Sequence, residues 1–161
     1  MSPDSPDFTP DLAGILKAEA DAVSAFVILL GEEQSALKLG NADALPSIIE
    51  RKAAATARLA PLSAARNALL ETAGVSCDRS GMESWLGQHP GNTAVRDLWR
   101  RLLDLAAEAQ ELNRLNGELI HLRMGHNAQM LEALRAANRQ DLYGADGQAT
   151  LGTSRRVIDS A

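Results

Sequence analysis

Apolar residues return every three or four positions along most of this chain, the period of a helix face rather than the alternation of a strand. The first stripe, Leu12, Ile15, Leu16, Val23, Phe26, Val27, Leu30 and Leu37, predicts a long helix ending near Gly40-Asn41. A second stripe, Leu45, Ile48, Ile49, Leu59, Leu62, Leu69 and Leu70, follows Asp43 as N-cap and Pro46 in the first turn, and should stop by Gly74. Pro61 lies inside it, and its ring clash with the carbonyl four residues back predicts a kink or short break around residues 57 to 61.

Gly74, Gly81, Gly87, Pro90 and Gly91 then leave room only for a short helix carrying Met82, Trp85 and Leu86, with capping-box spacing from Ser80 to Glu83. Thr93 or Asn92 caps the longest segment, in which Leu98, Leu105, Leu112 and Leu119 stand at strict intervals of seven. Val95, Trp99, Leu102, Ala106, Ala109, Ile120, Met124, Leu131 and Leu134 widen that stripe. At 1.5 Å per residue a helix over roughly 93 to 140 would reach about 70 Å and outrun its neighbours. The expected fold is all-α, an elongated antiparallel helical bundle or coiled coil of three long helices plus a short connecting helix, with mobile termini. Residues 1–10 read as a disordered arm, 11–140 as the helical domain and 141–161 as a flexible tail.

Composition narrows the function. The chain has 161 residues with 28 Ala and 24 Leu against 6 Ile and 5 Val, which disfavours a β fold. Aromatics are 3% of the chain, too few for a stacking platform on single-stranded nucleic acid. A formal net charge of −5 with signs interspersed makes nucleic acid and anionic membrane poor partners. The longest apolar run, Ala25 to Leu30, is too short to span a membrane, and residues 1–10 have no basic signal-peptide start. Cys77 stands alone, so neither an intramolecular disulfide nor a thiolate zinc cluster is expected, and a reducing, cytoplasmic setting fits.

Candidate chemistry is thin. Glu118-Leu-Ile-His121 has the spacing of a di-iron ligand pair, but such a site needs a second motif of this kind and two further glutamates, so a solvated surface pair is the plain reading. His121 and His126 diverge by about 140° around a helix, and His89 beside Pro90 is a loop residue. Cys77 has no histidine close in sequence to activate it, and no phosphate-cradling glycine motif occurs. Neither a cofactor nor a metal nor an enzymatic role is expected. Within the third long helix, Asn113, Asn116 and Gly117 lower helix propensity, Gly by about 1 kcal/mol relative to Ala. Asn116 falls on an inward heptad position with Leu102 and Ala109, where it would fix register while Gly117 allows close helix approach.

These residues resemble the FlgN family of flagellar export chaperones. The likeness rests on Leu112-Asn113-x-x-Asn116-Gly117-x-Leu119-Ile120, on Asn127-x-Gln129-x-Leu131-Glu132-x-Leu134 and, most specifically, on Leu142-Tyr143-Gly144-Ala145-Asp146-Gly147-Gln148. It implies a cytoplasmic, non-enzymatic chaperone that binds the C-terminal segments of the hook-filament junction proteins FlgK and FlgL before export through the flagellar type III apparatus. It also implies that Tyr143, matching the motif tyrosine, docks onto the export gate protein FlhA. The Pro-rich arm, Pro61 and the Gly-rich connection depart from the family's pattern.

Physical chemistry is compatible with that implication. A client segment folding as an amphipathic helix could bury its apolar face against Leu119, Ile120, Met124, Met130, Leu131 and Leu134, and the two methionines suit an adaptable surface. Leu119 and Ile120 are expected to pack against the first two helices, leaving Met130, Leu131 and Leu134 for the partner. Tyr143 would be either an exposed anchor or a staple folding the tail back. The competing class is a homo-oligomeric coiled-coil adaptor joined through the Leu98, Leu105, Leu112, Leu119 seam; an unloaded chaperone could also form a homodimer to hide its groove.

Overall fold

A computed structural model describes residues 8–143, with side chains as far as Arg139. Its elements are α1 (Phe8–Leu39), a single 3₁₀ turn (Ala42–Ala44), α2 (Leu45–Thr72), α3 (Arg79–Gln88) and α4 (Thr93–Tyr143), with no strand among the described residues. The protein is therefore all-α. It divides into two units, residues up to Ile120 and residues from His121 onward.

In the first unit α1 and α2 form an antiparallel hairpin whose direction is written in its ion pairs. Glu33 meets Lys52 at 2.8 Å and Glu19 meets Arg66 at 3.2 Å, so that higher positions on α1 face lower ones on α2. Ser63 donates to Glu19 at 2.7 Å, and an exposed Glu32–Arg51 pair lies beside the Glu33 rung. Helix α4 runs parallel to α1, as Asp21–Arg101 and Leu30–Asn116 contacts show. The core draws on α3 and all three long helices: Phe8, Leu12, Leu16, Leu70, Met82, Trp85, Val95 and Trp99 are all buried.

Both long-helix ends are closed by glycine in the left-handed region. After α1, Gly40 at φ 70° lets Asn41 N–H reach the Ala36 carbonyl at 2.9 Å; after α2, Gly74 at φ 72° lets Val75 N–H reach Leu70 at 3.1 Å.

Local details differ from the sequence reading in three places, and at Pro61 one of two alternatives is excluded. Of the arm expected over residues 1–10, Phe8 to Pro10 are instead helical and Phe8 is fully buried, its ring centroid 5.6 Å from that of Trp85, while residues 1–7 lie outside the described residues. Residue 44, not Asp43, is the N-cap of α2; Asp43 is taken up by the 3₁₀ turn, while Pro46 does sit in the first helical turn. Of the two outcomes expected at Pro61, a kink or a short break, the break is excluded, since α2 is continuous from Leu45 to Thr72. Pro61 and Ala57, whose carbonyl loses its helical donor, are both on the exposed face, where water can serve. The cap of α3 is Asp78 rather than Ser80: its carboxylate accepts from Gly81 N–H at 2.8 Å and from Ser76 Oγ at 2.7 Å.

Along the first part of α4, Val95, Leu102 and Asn116 are buried, and Leu98, Leu105, Leu112 and Leu119 are half-buried. Both rows of the heptad thus contribute to the first unit. The second unit continues the helix to Tyr143, and every side chain from His121 to Arg139 is exposed. Residues 141–143, assigned to the tail from sequence, are helical.

Candidate functional site

Two features of α4 stand apart from ordinary bundle packing. The first is polar and buried. Asn116, 1% exposed, donates through Nδ2 to the Leu30 carbonyl at 2.9 Å and to Glu33 Oε2 at 2.8 Å. Glu33 in turn holds Lys52, so one residue from each long helix joins a single network inside the bundle. Only the orientation with the amide nitrogen facing both acceptors makes sense there, and Oδ1 is left without a protein partner. Asn116 is inward on its heptad position, as its spacing suggests. Asn113, by contrast, is exposed. The close helix approach expected at Gly117 is absent, because a Cβ built there would meet nothing within 4 Å. Nothing in the structure explains the glycine.

The second feature is apolar and exposed. Within the second unit Leu122 is 70% exposed, Met124 64%, Met130 54%, Leu131 55% and Leu134 59%. Isolated exposed apolar residues are ordinary on protein surfaces, but five within thirteen positions of one helix are not. Met124, Asn127, Leu131 and Leu134 are spaced by three and four and share one face, with Met130 at its border. This row is no extension of the bundle seam. The register of Leu102, Ala109 and Asn116 next reaches Arg123, and that of Leu105, Leu112 and Leu119 next reaches His126. Apolar residues therefore change rows along α4, and the exposed row has its own register.

Of the residues singled out from sequence, Leu119 is half-buried and Ile120 is 38% exposed, both in the first unit, while Met124, Met130, Leu131 and Leu134 lie open in the second. Leu122 was missed. It continues the three-and-four spacing of Leu112, Leu115 and Leu119, so that from sequence it reads as more of the bundle seam, and its exposure alone sets it apart. The side chain of Tyr143 and the whole of residues 144–161 lie outside the described residues, although Tyr143 itself ends α4 rather than following it.

The remaining candidates have structural occupations. Glu118, of the Glu-x-x-His pair, is held by Arg114, which also meets Glu111 at 2.7 Å. Cys77 Sγ lies 3.5 Å from the Asn67 carbonyl and from Glu71 Oε1; burial, then the Glu71 carboxylate, pushes the thiol up, the opposite of an activated nucleophile. His89 stacks on Trp85 with centroids 4.3 Å apart. Among the described residues no helix is long and apolar enough to cross a membrane.

Comparison with known proteins matches residues 6–150 to a family model described as FlgN protein. The chain belongs to the FlgN family. It is 39% identical over 61 residues to the flagella synthesis protein FlgN of Proteus mirabilis, covering 38% of this chain and 42% of that protein. It is 26% identical over 136 residues to the protein of the same name from Yersinia enterocolitica serotype O:8, covering 83% and 86%. With the Salmonella typhimurium FlgN it shares 31% identity over 64 residues, 40% of this chain and 46% of that one. The matched segment thus spans less than half of the Proteus and Salmonella proteins, whereas the alignment with the serotype O:8 Yersinia protein extends over most of both chains. No solved structure matches significantly.

Proposed function

We propose that this FlgN-family chain is a cytoplasmic flagellar export chaperone, which holds C-terminal segments of the hook-filament junction proteins FlgK and FlgL and hands them to the export gate protein FlhA. The observation that carries the reading is the exposed row of Met124, Leu131 and Leu134 on a helix already formed without a partner. A segment disordered on its own can gain an amphipathic helix by laying aliphatic side chains along such a row. The template is prepaid in backbone order, so the ordering cost falls on the client alone. Burying the open half of one leucine or methionine contributes about 1 kcal/mol, so several together are needed for useful affinity, and Met124 and Met130 can repack around related clients.

Nothing in this scheme asks for bond chemistry, and the role is non-enzymatic. Tyr143, at the end of the same helix, is assigned to gate docking. The adaptor alternative draws less support: Leu98 and Leu105 of the seam it would use are packed against the chain's own core.

Calorimetry of the full chain with C-terminal fragments of FlgK and FlgL tests the proposal. Binding to at least one fragment, lost in Leu131→Asp and retained in Tyr143→Ala with weakened capture by FlhA, is the expected outcome. Absence of binding to both fragments overturns it.

A further inference from the structure

The outer seam of the α1–α2 hairpin is open near its turn. Two hollows of about 570 and 400 Å³ lie end to end there and share Arg51 in their linings, so one furrow runs from Ala25 to Leu39 on α1 and from Arg58 back to Ala44 on α2. Fourteen positions at 1.5 Å each make it about 21 Å long, or four turns of helix. Leu29, Ala36 and Ile48 form a buried floor, while Ile28 and Leu39 stand largely exposed on the wall. Ala54 and Ala55 line the smaller hollow and leave room for larger side chains from outside. The furrow belongs wholly to the first unit and shares no residue with the α4 row.

Most charges around it are already answered. Glu32 meets Arg51 through both carboxylate oxygens where the two hollows join. Asp21, farther down α1, is held by Lys17 at 2.7 Å and Arg101 at 3.2 Å, and Lys38 bonds Gln34 at 2.9 Å. Arg58 is different. The Glu33–Lys52 and Glu19–Arg66 rungs set it opposite Val27, and α1 carries no charge from residue 22 to residue 31. On its own helix the nearest acid is Glu50, two turns away and about 80° round the axis. Among the described residues no ion pair or hydrogen bond engages Arg58, which lines the smaller hollow beside Ile28.

We infer that this furrow is a second docking surface, which takes an amphipathic helix with large aliphatic side chains on its inner face and a carboxylate on the border that meets Arg58. An extended segment would lay backbone N–H and C=O groups against alanine and isoleucine with nothing to bond, whereas a helix satisfies its own backbone and lies along α1 and α2 as a further bundle member. The guanidinium offers a carboxylate a two-pronged fork, and a lysine in its place would set like charges together. The surface stands independently of the docking at the α4 row.

The test uses the full chain carrying Leu131→Asp, which disables the α4 row, and two synthetic amphipathic helical peptides of about 20 residues, with leucines along one face and either Glu or Lys on both borders. Long-range attraction to a protein of net charge −5 favours the Lys peptide, so a preference for the Glu peptide reports the local arginine. Fluorescence anisotropy should show the Glu peptide binding about fivefold more tightly at low salt, with the gap narrowing near 0.5 M salt. Arg58→Glu should reverse the preference, and Ile28→Asp should weaken both peptides about tenfold. Both positions are exposed, so circular dichroism should show the fold unchanged. Equal binding of the two peptides overturns the acidic partner, and binding that neither substitution alters overturns the furrow. Binding of neither peptide also overturns the furrow and leaves the α4 row untouched. Sedimentation showing a dimer of the free protein that Ile28→Asp dissociates overturns the inference in favour of a second copy.

Discussion

Replacing Asn116 by aspartate changes almost no volume and converts the donor at the centre of the three-helix network into an acceptor. In the native chain Nδ2 lies 2.8 Å from Glu33 Oε2 and 2.9 Å from the Leu30 carbonyl. In Asn116→Asp three acceptors would converge. Loss of a hydrogen bond to a charged group removes about 2 kcal/mol, and two carboxylates roughly 3 Å apart repel by about 5 kcal/mol at an effective dielectric of 20. The full sum cannot be reached, because protonating the new carboxyl at pH 7 costs only about 4 kcal/mol, and the protonated form can donate to Glu33 again. Protonation sets the ceiling. The variant should therefore lose about 4 kcal/mol at pH 7, lowering Tm by roughly 8–16 °C. The new carboxyl binds its proton more tightly folded than unfolded, so the deficit shrinks as pH falls towards its unfolded value, to about 1.5 kcal/mol at pH 5. Urea unfolding followed by helical circular dichroism at both pH values measures this. A loss below about 1 kcal/mol at pH 7 would refute the network, and a loss equal at the two pH values would make it a packing effect rather than an electrostatic one.

Two further expectations concern the short helix α3. Alanine at Gly81 would place its Cβ 1.8 Å from the Ser76 carbonyl oxygen, so Gly81→Ala should cost about 2–3 kcal/mol. Gly87→Ala in the same helix meets nothing within 4 Å and should be neutral or stabilising by up to about 1 kcal/mol; thermal melts that rank the two the other way would contradict the packing described. Asp78 is held below the usual carboxylate value of 3.8 by the Ser76 hydroxyl and then the Gly81 N–H. Its stabilisation is therefore complete above that value and is lost as pH falls through the lowered one. Asp78→Asn keeps an acceptor for Gly81 but should flatten that acid limb in a series of melts from pH 5 to pH 2.

How much of this was legible beforehand varies with the range of the signal. The long stripes of α1 and α4 announce themselves, because a helix face repeats its message every turn. A lone residue does not. Phe8 sits among Asp, Ser and Pro, and only its fit against Trp85, distant in sequence, makes it core. The caps at residues 44 and 78 were each misplaced within a polar cluster offering several oxygens, where backbone geometry chooses among neighbours. At Pro61 local chemistry left a kink and a break both open, and its exposed position lets α2 continue as one helix. Asn116 was placed correctly because heptad position reports inwardness, yet its partners on α1 could not be named without the pairing of helices. The exposed row was visible as apolar spacing; what spacing could not tell was which apolar residues of α4 the chain itself covers, and so the half-buried Leu119 was counted with it.

The hairpin of α1 and α2 is built from alanine and leucine, a monotonous alphabet in which a misaligned pairing could bury nearly as much apolar surface as the right one. Glu19 and Glu33 stand fourteen residues apart, as do their partners Arg66 and Lys52. Sliding the hairpin by one heptad brings Glu33 opposite Leu59 or Leu45, Glu19 opposite Ala73 or Leu59, and Lys52 opposite Gly40 or Phe26. None of the four charges of these two rungs meets a counter-charge in either direction, although one slide brings Arg58 to the exposed place where Arg51 faces Glu32, and each stranded buried ion would carry a desolvation penalty of several kcal/mol. The two rungs thus act as a coarse key cut at double the heptad spacing. They add little to the depth of the native well, but they empty the neighbouring ones, so that an otherwise repetitive sequence folds to one alignment.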